Sequence, residues 1–254
     1  EPHFFAGFSG GRKSILPGVA SRKTVIYNHN GQFIADEHSR TGIVDGNPIH
    51  NDMLYAARRA NLAYIVNVVI DSEKKAIYAV AGDVDLAHRV GYEFLRSQCQ
   101  VNAVPSEIVI STNGGYPLDQ NIYQSVKGMT AAEACVRPGG AILMCAALSD
   151  GHGGEDFYRW FADRPDAKTV MEDIRNVPPE STHMDQWEAQ VLARGMLKAN
   201  CWMITGPENR HLVENMHLRW ASDVDTALRQ ASDLLGGNAS VTVIPDGVGV
   251  IVRK

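Results

Sequence analysis

The sequence has no CxxC pair and no dense cysteine framework. Its four cysteines, Cys99, Cys135, Cys145 and Cys201, are scattered along the chain from its second quarter to its last. That spacing excludes a zinc knuckle and a disulfide-stapled scaffold. Cys145 and Cys201 stand in apolar, strand-like runs, so the thiols are expected to be reduced and the protein cytoplasmic. Positive charge is not in excess either. Lys and Arg number 24 against 29 Asp and Glu, a net charge of -5, which is the wrong sign for a nucleic-acid backbone. No apolar run approaches the roughly 20 residues that cross a bilayer, so no membrane partner is expected. There is no internal repeat, no low-complexity tract and no leader-like opening. The chain also lacks an initiator Met, and glycine-rich sequence follows Glu1-Pro2 almost at once. With so little scaffold ahead of its most informative stretch, the sequence is expected to lack an N-terminal part.

A hydrophobic content of 44% over 254 residues supports one large core or two smaller ones. Asn47-Pro48 is a candidate N-cap and first helical residue for NPIHNDMLYAARRA. The run 63–71, AYIVNVVID, is β-branched and nearly continuously apolar, as a buried strand would be. KAIYAVAGD (75–83) is a second strand, and Asp83 then caps a helix. Residues 98–107 form the boundary, giving domains 1–98 and 99–254. The second half restarts with EIVIST (107–112), a helix through Gln124, Lys127 and Glu133, and the strand AILMCAAL (141–148) after Arg137-Pro138-Gly139-Gly140. That is a strand–helix–strand unit of parallel, right-handed type. CWMIT, SVTVI and VGVIV are further strands, with the helix DVDTALRQASDLL between the first two. The expected fold class is α/β, as two α/β lobes with mostly parallel sheets and an active-site cleft between them.

HFFAGFSGGRKS (3–14) supports three chemical readings. A P-loop requires G-x-x-x-x-G-K-[ST], but counting from Gly7 the sixth position is Arg12, and Pro17 interrupts the helix that should follow. Gly7-Phe8-Ser9-Gly10-Gly11 matches the G-x-S-x-G nucleophile elbow and makes Ser9 a candidate hydrolase nucleophile; the same proline obstructs its helix. In the third reading the glycines make room for a flat or anionic cofactor. Lys13, beside the like charge of Arg12, then supplies a nucleophilic amine. On charge pattern alone, Arg12 and Lys13 fit a solvated turn better.

The stretch HFFAGFSGGRKSILPGVASRKTVIYNHN resembles the signature region of the nickel-dependent lactate racemase family. YPLDQNIYQSVKGM (116–129) and THMDQWEAQ (182–190) resemble further blocks of that family in the same order. The resemblance spans most of the chain. It implies a racemase or epimerase of a small 2-hydroxy acid that uses a nickel pincer nucleotide, a nicotinate-derived mononucleotide gripping nickel through one carbon and two sulfur atoms. The lysine of the GGRK block, here Lys13, would form a thioamide with the cofactor. His29, of the NH pair, would supply nickel's fourth ligand, as imidazole suits that metal. His3 would be the catalytic histidine, its ordinary pKa suiting exchange of a hydroxyl proton. Tyr123, Gln124 and Lys127 would line the substrate side, and Trp187 would pack near metal and substrate. A second histidine base and a carboxylate-binding arginine of the family match nothing in this sequence.

The implied reaction takes the hydroxyl proton onto a histidine and the Cα hydride onto the pincer carbon, giving a transient 2-keto acid that is reduced on its other face. On this reading domain 1–98 is the C-terminal portion of a cofactor-binding domain, domain 99–254 is a C-terminal α/β domain, and the chain alone would be inactive. A serine hydrolase using Ser9 and a non-catalytic nucleotide or metal carrier are the competing functions.

Overall fold

A computed structural model describes residues 1–253. Contacts divide the chain into two units, Glu1–Gln100 with Pro178–Thr182, and Val101–Val177 with His183–Lys254. The short return of 178–182 to the first unit breaks the simple two-segment order that the sequence suggests.

The first unit opens with a minimal antiparallel pair, β1 (Pro2–His3) and β2 (Gly7–Phe8), and then a 3-10 turn, Gly11–Ser14. Three helices follow, each started by a side chain that accepts the otherwise unpartnered first-turn N–H groups. Ser21 caps α1 (Arg22–Asn28), Asn30 caps α2 (Gly31–Ala35), and Asn47, with Pro48 at the first position, caps α3 (Pro48–Arg59). β3 (Ile65–Ile70) and β4 (Ala76–Gly82) pair antiparallel. The Asp83 carboxylate accepts from the N–H groups of Asp85 and Leu86, starting α4 (Leu86–Cys99) where the sequence places it.

The reading of 63–71 as a fully buried strand is corrected here. Val66, Val68 and Ile70 are 68%, 56% and 54% exposed. A two-stranded ribbon has only one face that can lie on a helix, so a continuous apolar run leaves alternate residues outside. Ile65 is buried with Leu54, Ala57, Val84 and Ala87.

The second unit is built on a five-stranded parallel sheet. β5 (Gln100–Asn102) precedes β6 (Ser106–Thr112), α5 (Ile122–Cys135) and β7 (Val136–Cys145). Then come α6 (Glu155–Ala162), α7 (Ala167–Arg175), α8 (Gln186–Lys198), β8 (Asn200–Ile204), α9 (Arg210–Asn215), β9 (Arg219–Ala221), α10 (Val224–Leu235), β10 (Val241–Ile244) and β11 (Ile251–Arg253). The sheet order is β10-β6-β7-β8-β9, every pair parallel, while β5 pairs with β11. Arg137-Pro138-Gly139-Gly140 already belongs to β7, with a register irregularity against β6 before pairing settles at Ile108–Ala141. Ile108, Leu143, Trp202 and Ile204 of the sheet bury against Ala227 and Ala231 of α10. The chain leaves β6 toward β7 on one side and returns on the other in β10. Parallel sheets offer a binding crevice beyond the carboxyl ends of the strands at such a switch point.

Candidate functional site

The glycine-rich turn is folded around a buried arginine. Arg12 is fully buried, and its guanidinium donates to the carbonyls of Phe8 (2.7 Å), Gly10 (3.3 Å) and Ala6 (2.8 Å). Burial lowers its pKa to about 10. It is therefore the internal strut of the turn, not a surface cation beside Lys13. His88 Nε2 lies 3.0 Å from Arg12 Nη1 and 2.8 Å from the Ser9 carbonyl. A guanidinium only donates and a carbonyl only accepts, so the ring nitrogen satisfies one of them at a time.

The glycines serve this fold rather than an empty space. Gly7, at φ +78°, would place a Cβ 2.4 Å from the Ile43 carbonyl oxygen, and Gly11, at φ +52°, would place one 3.0 Å from the His88 ring. The room that the sequence suggests for a cofactor is, at these two positions, taken by the protein's own atoms. Ser9 fares no better as a nucleophile. Its hydroxyl donates to the Glu1 carbonyl at 3.1 Å, and His88 meets its carbonyl, not its hydroxyl. Ser9 also lacks the positive φ of a strained turn.

His29 follows α1 directly and is buried. Both flanking asparagines are anchored. Asn28 donates to the Ile49 carbonyl and the Asp52 carboxylate, and Asn30 caps α2 through Oδ1. His29 Nδ1 lies 2.9 Å from the Val25 carbonyl. Because that oxygen can only accept, Nδ1 carries the proton, and the lone pair of the neutral ring is on Nε2. Burial, and after it the Lys13 charge, holds the imidazole pKa down at about 4, against the opposing Val25 bond. Lys13 is half-buried in the 3-10 turn, its N–H donating to the Gly10 carbonyl. The Phe5 ring stands edge-on to both His3 and His29, with centroids 4.5 Å and 5.2 Å away. Phe5, a residue sequence reasoning did not single out, thus stands between His3 and His29, and the charge of Lys13 reaches His29.

The Ala6 N–H donates to His3 Nδ1 at 3.2 Å. In the neutral ring the proton is then on Nε2, so His3 presents a donor. Accepting a proton at Nε2 requires the Ala6 bond to be given up, a cost on the order of 1 kcal/mol.

In the second unit, Tyr123, Gln124 and Lys127 lie on the first turns of α5, which follows the carboxyl end of β6. Asn121 caps this helix by accepting from the Gln124 N–H. Asn113, just past β6, donates to the carbonyls of Leu118 and Gln124 and so ties the connecting loop to the helix. Lys127 Nζ donates to Gln124 Oε1, as their one-turn spacing predicts. Trp187, on α8, donates through Nε1 to the Tyr123 hydroxyl at 3.0 Å. Burial, reinforced by the Glu188 and Asp185 carboxyls, raises the Tyr123 pKa and keeps it a phenol. The bond joins blocks 116–129 and 182–190 through two residues 64 positions apart. Sequence reasoning missed Glu188, also buried here.

Among the described residues no group of three or more His, Cys, Asp or Glu side chains could hold a metal ion. No helix among them is long and apolar enough to cross a membrane. All four cysteines are free, and burial pushes the Cys201 thiol up to about 12.

Comparison with known proteins matches residues 101–252 to the lactate racemase C-terminal domain and residues 1–42 to the lactate racemase N-terminal domain. The lactate racemases of Thermoanaerobacterium thermosaccharolyticum and Lactiplantibacillus plantarum are each 52% identical over the whole of this chain, which spans 60% of their length. The structure of the lactate racemase apoprotein from Thermoanaerobacterium thermosaccharolyticum superposes with a TM-score of 0.98, covering all of this chain and 61% of that one. A Thermotoga maritima protein, 19% identical with a TM-score of 0.69 over 99% of this chain and 64% of that one, shares the fold. With a family model matching residues 101–252 and a second matching residues 1–42, the chain belongs to the lactate racemase family.

Proposed function

We propose that this chain carries the cofactor-holding and substrate-holding residues of a racemase or epimerase of a small 2-hydroxy acid, lactate being the acid named for its relatives. The observation that carries the reading is the state of His29. A metal-ligating imidazole must be neutral, with one nitrogen fixed by an outer hydrogen bond and the other holding a lone pair. His29 meets those conditions through burial and the Val25 carbonyl, and so fits nickel as its single protein ligand.

When bound, a nickel pincer nucleotide would supply the hydride acceptor and donor for the Cα centre. The chain's own residues do the rest. Lys13 would tether the cofactor through its amine. His3 would exchange the substrate hydroxyl proton at Nε2 once it has released the Ala6 N–H, accepting it there as the neutral Nδ1–H ring and returning it as the imidazolium. In the second unit the Lys127 ammonium would hold the substrate carboxylate, oriented by Gln124, while Tyr123 and Trp187 would supply a rigid wall and a phenol donor. Holding the acid at two points leaves its Cα a restricted set of orientations, which is the positioning a two-face reaction needs.

The test is to produce the chain together with a cofactor pathway and measure intact mass and nickel content. Near-stoichiometric nickel and a mass increment on the Lys13 peptide are expected. Lys13→Ala should lose the increment, and His29→Ala should lose nickel on dialysis. An unmodified Lys13 together with nickel retention indifferent to His29→Ala would overturn the reading.

A further inference from the structure

Within the second unit, α8 is buried around its first turns, and three of those buried residues are polar: Gln186, Glu188 and Gln190. Glu188 is 1% exposed, and among the described residues neither of its carboxyl oxygens has a hydrogen-bond partner. An ionised carboxylate in that position would forfeit its hydration with no hydrogen bond in return, a cost of several kcal/mol that the Lys127 charge only partly offsets. The neutral acid is the form the site tolerates. The helix is steered into place by Asp185, whose backbone is left-handed at φ +57°, and by Gln186 Oε1, which accepts the His183 N–H.

The charges that act on Glu188 are the Lys127 ammonium, from α5, and Asp185, at the start of α8; α6, α7, β7 and β8 contribute none. Tyr123, on α5, feels Glu188 in turn, and Asp156, on α6, acts on Asp185. Further along the same pair of helices, Glu133 is already closed by a two-pronged bond from Arg194. Glu188 is thus the buried carboxyl whose cationic neighbour is the proposed substrate-binding lysine. Lys127 meanwhile donates to a neutral amide oxygen, that of Gln124.

We propose that Glu188 is a positioning residue of the substrate half-site: as the acid it leaves the Lys127 ammonium to an incoming carboxylate, and as the anion it competes for that ammonium. The proposal rests on Lys127 being the carboxylate-binding group. It explains why a buried acid sits without a donor, since any strong donor would ionise it and set it against the substrate. It also gives the half-site a preference for monoanionic acids, because one ammonium faces one carboxylate only while Glu188 stays neutral.

The experiment uses the chain labelled with ¹³C-glutamate and ¹⁵N-lysine. At pH 7, infrared difference spectra of wild type minus Glu188→Gln should contain the carbonyl stretch of one protonated carboxyl. L-lactate, added as the probe, should shift the Lys127 ¹⁵Nζ signal. Its apparent affinity should fall about tenfold per pH unit once the carboxyl band disappears, because binding then takes up one proton. In Glu188→Gln the affinity should match wild type at pH 7 and stay flat over the same range. Absence of the protonated band at pH 7, or a pH dependence identical in Glu188→Gln, overturns the proposal. Lys127→Ala separates the two readings. If it leaves lactate affinity unchanged, the carboxylate role of Lys127 falls, whatever the infrared spectrum shows. A Glu188→Gln chain that fails the circular-dichroism check of folding is replaced by Glu188→Met, for which the same flat profile is expected.

Discussion

The buried pair of histidines beside the Arg12 strut makes the first unit acid-sensitive by an amount that can be worked out. His88 is buried, and that burial, with the Arg12 charge second, lowers its pKa to about 4; for His50 burial, then Arg12, lowers it to about 3. Both titrate near 6.5 in an unfolded chain. Above that value neither state binds the proton. As pH falls below it, the unfolded chain takes up protons that the folded unit refuses, so stability is lost, and the loss levels off only below the folded values. Each such proton costs about 1.4 kcal/mol per pH unit, so each ring costs about 2 kcal/mol between pH 7 and pH 5, and the pair about 4.

The informative variant is His88→Gln. A glutamine can accept from Arg12 Nη1 through its oxygen and donate to the Ser9 carbonyl through its nitrogen, meeting both demands that one imidazole nitrogen cannot. Hydrogen exchange of the α4 amides in urea, at pH 7 and pH 5, reports the opening free energy of this unit by itself. The acid loss in His88→Gln should be smaller than in wild type by about 2 kcal/mol. Equal losses in the two proteins would show that His88 is not held neutral by its surroundings, and the account of the turn built on Arg12 would fail with it.

Three further outcomes follow from single contacts. Arg12→Lys keeps the charge but cannot fork to the Ala6, Phe8 and Gly10 carbonyls; it should destabilise the first unit by about 3 kcal/mol in urea unfolding and lower nickel loading. Tyr123→Phe and Trp187→Phe remove the two ends of one hydrogen bond, so a double-mutant cycle on unfolding should give a coupling of about 1 kcal/mol, and additivity would refute the contact. Cys201, fully buried with its thiol held up at about 12, should resist iodoacetamide at pH 8 in the folded chain and react once urea unfolds the second unit.

What the sequence makes legible here is what local chemistry decides. Asn47-Pro48, Asp83 and the β-branched runs of the second unit announce their caps and strands because each signal acts within a few residues. Arg12 is read wrongly because its partners are backbone carbonyls, which carry no sequence signature, and an Arg-Lys pair looks like a solvated turn until one side chain is seen to point inward. The glycines mislead for a similar reason: what excludes a Cβ at Gly7 is the carbonyl of Ile43, far along the chain. Resemblance locates Lys13, His29 and Trp187 by pattern, yet only the structure sets the Val25 carbonyl against His29 Nδ1 and brings Trp187 to Tyr123. Glu188 escapes notice because an acid on a helix is ordinarily solvated; its burial depends on how α8 packs.

Asn47 puts the contrast between local and tertiary causes to a direct test. Its Oδ1 accepts from the Ile49 and His50 N–H groups, the ordinary duty of an N-cap. Its Nδ2 lies 2.9 to 3.0 Å from three carbonyls, those of Phe5, His38 and Ile43. Judged as a cap alone, Asn47→Asp should be harmless, since the two residues cap equally well. Judged from the structure, a carboxylate there turns three attractive contacts into repulsive ones in a fully buried site. Asn47→Ala should cost about 3 kcal/mol, from the lost cap and the carbonyls left short of a donor, and Asn47→Asp at least as much at pH 7. The aspartate's pKa would be raised above its unfolded value, so part of its penalty should vanish as pH falls toward 5, whereas Asn47→Ala should show no such recovery. Because one of the three carbonyls belongs to Phe5, both variants should also loosen the ring that stands between His3 and His29. An Asn47→Asp chain as stable as wild type at pH 7 would mean that capping alone accounts for this asparagine.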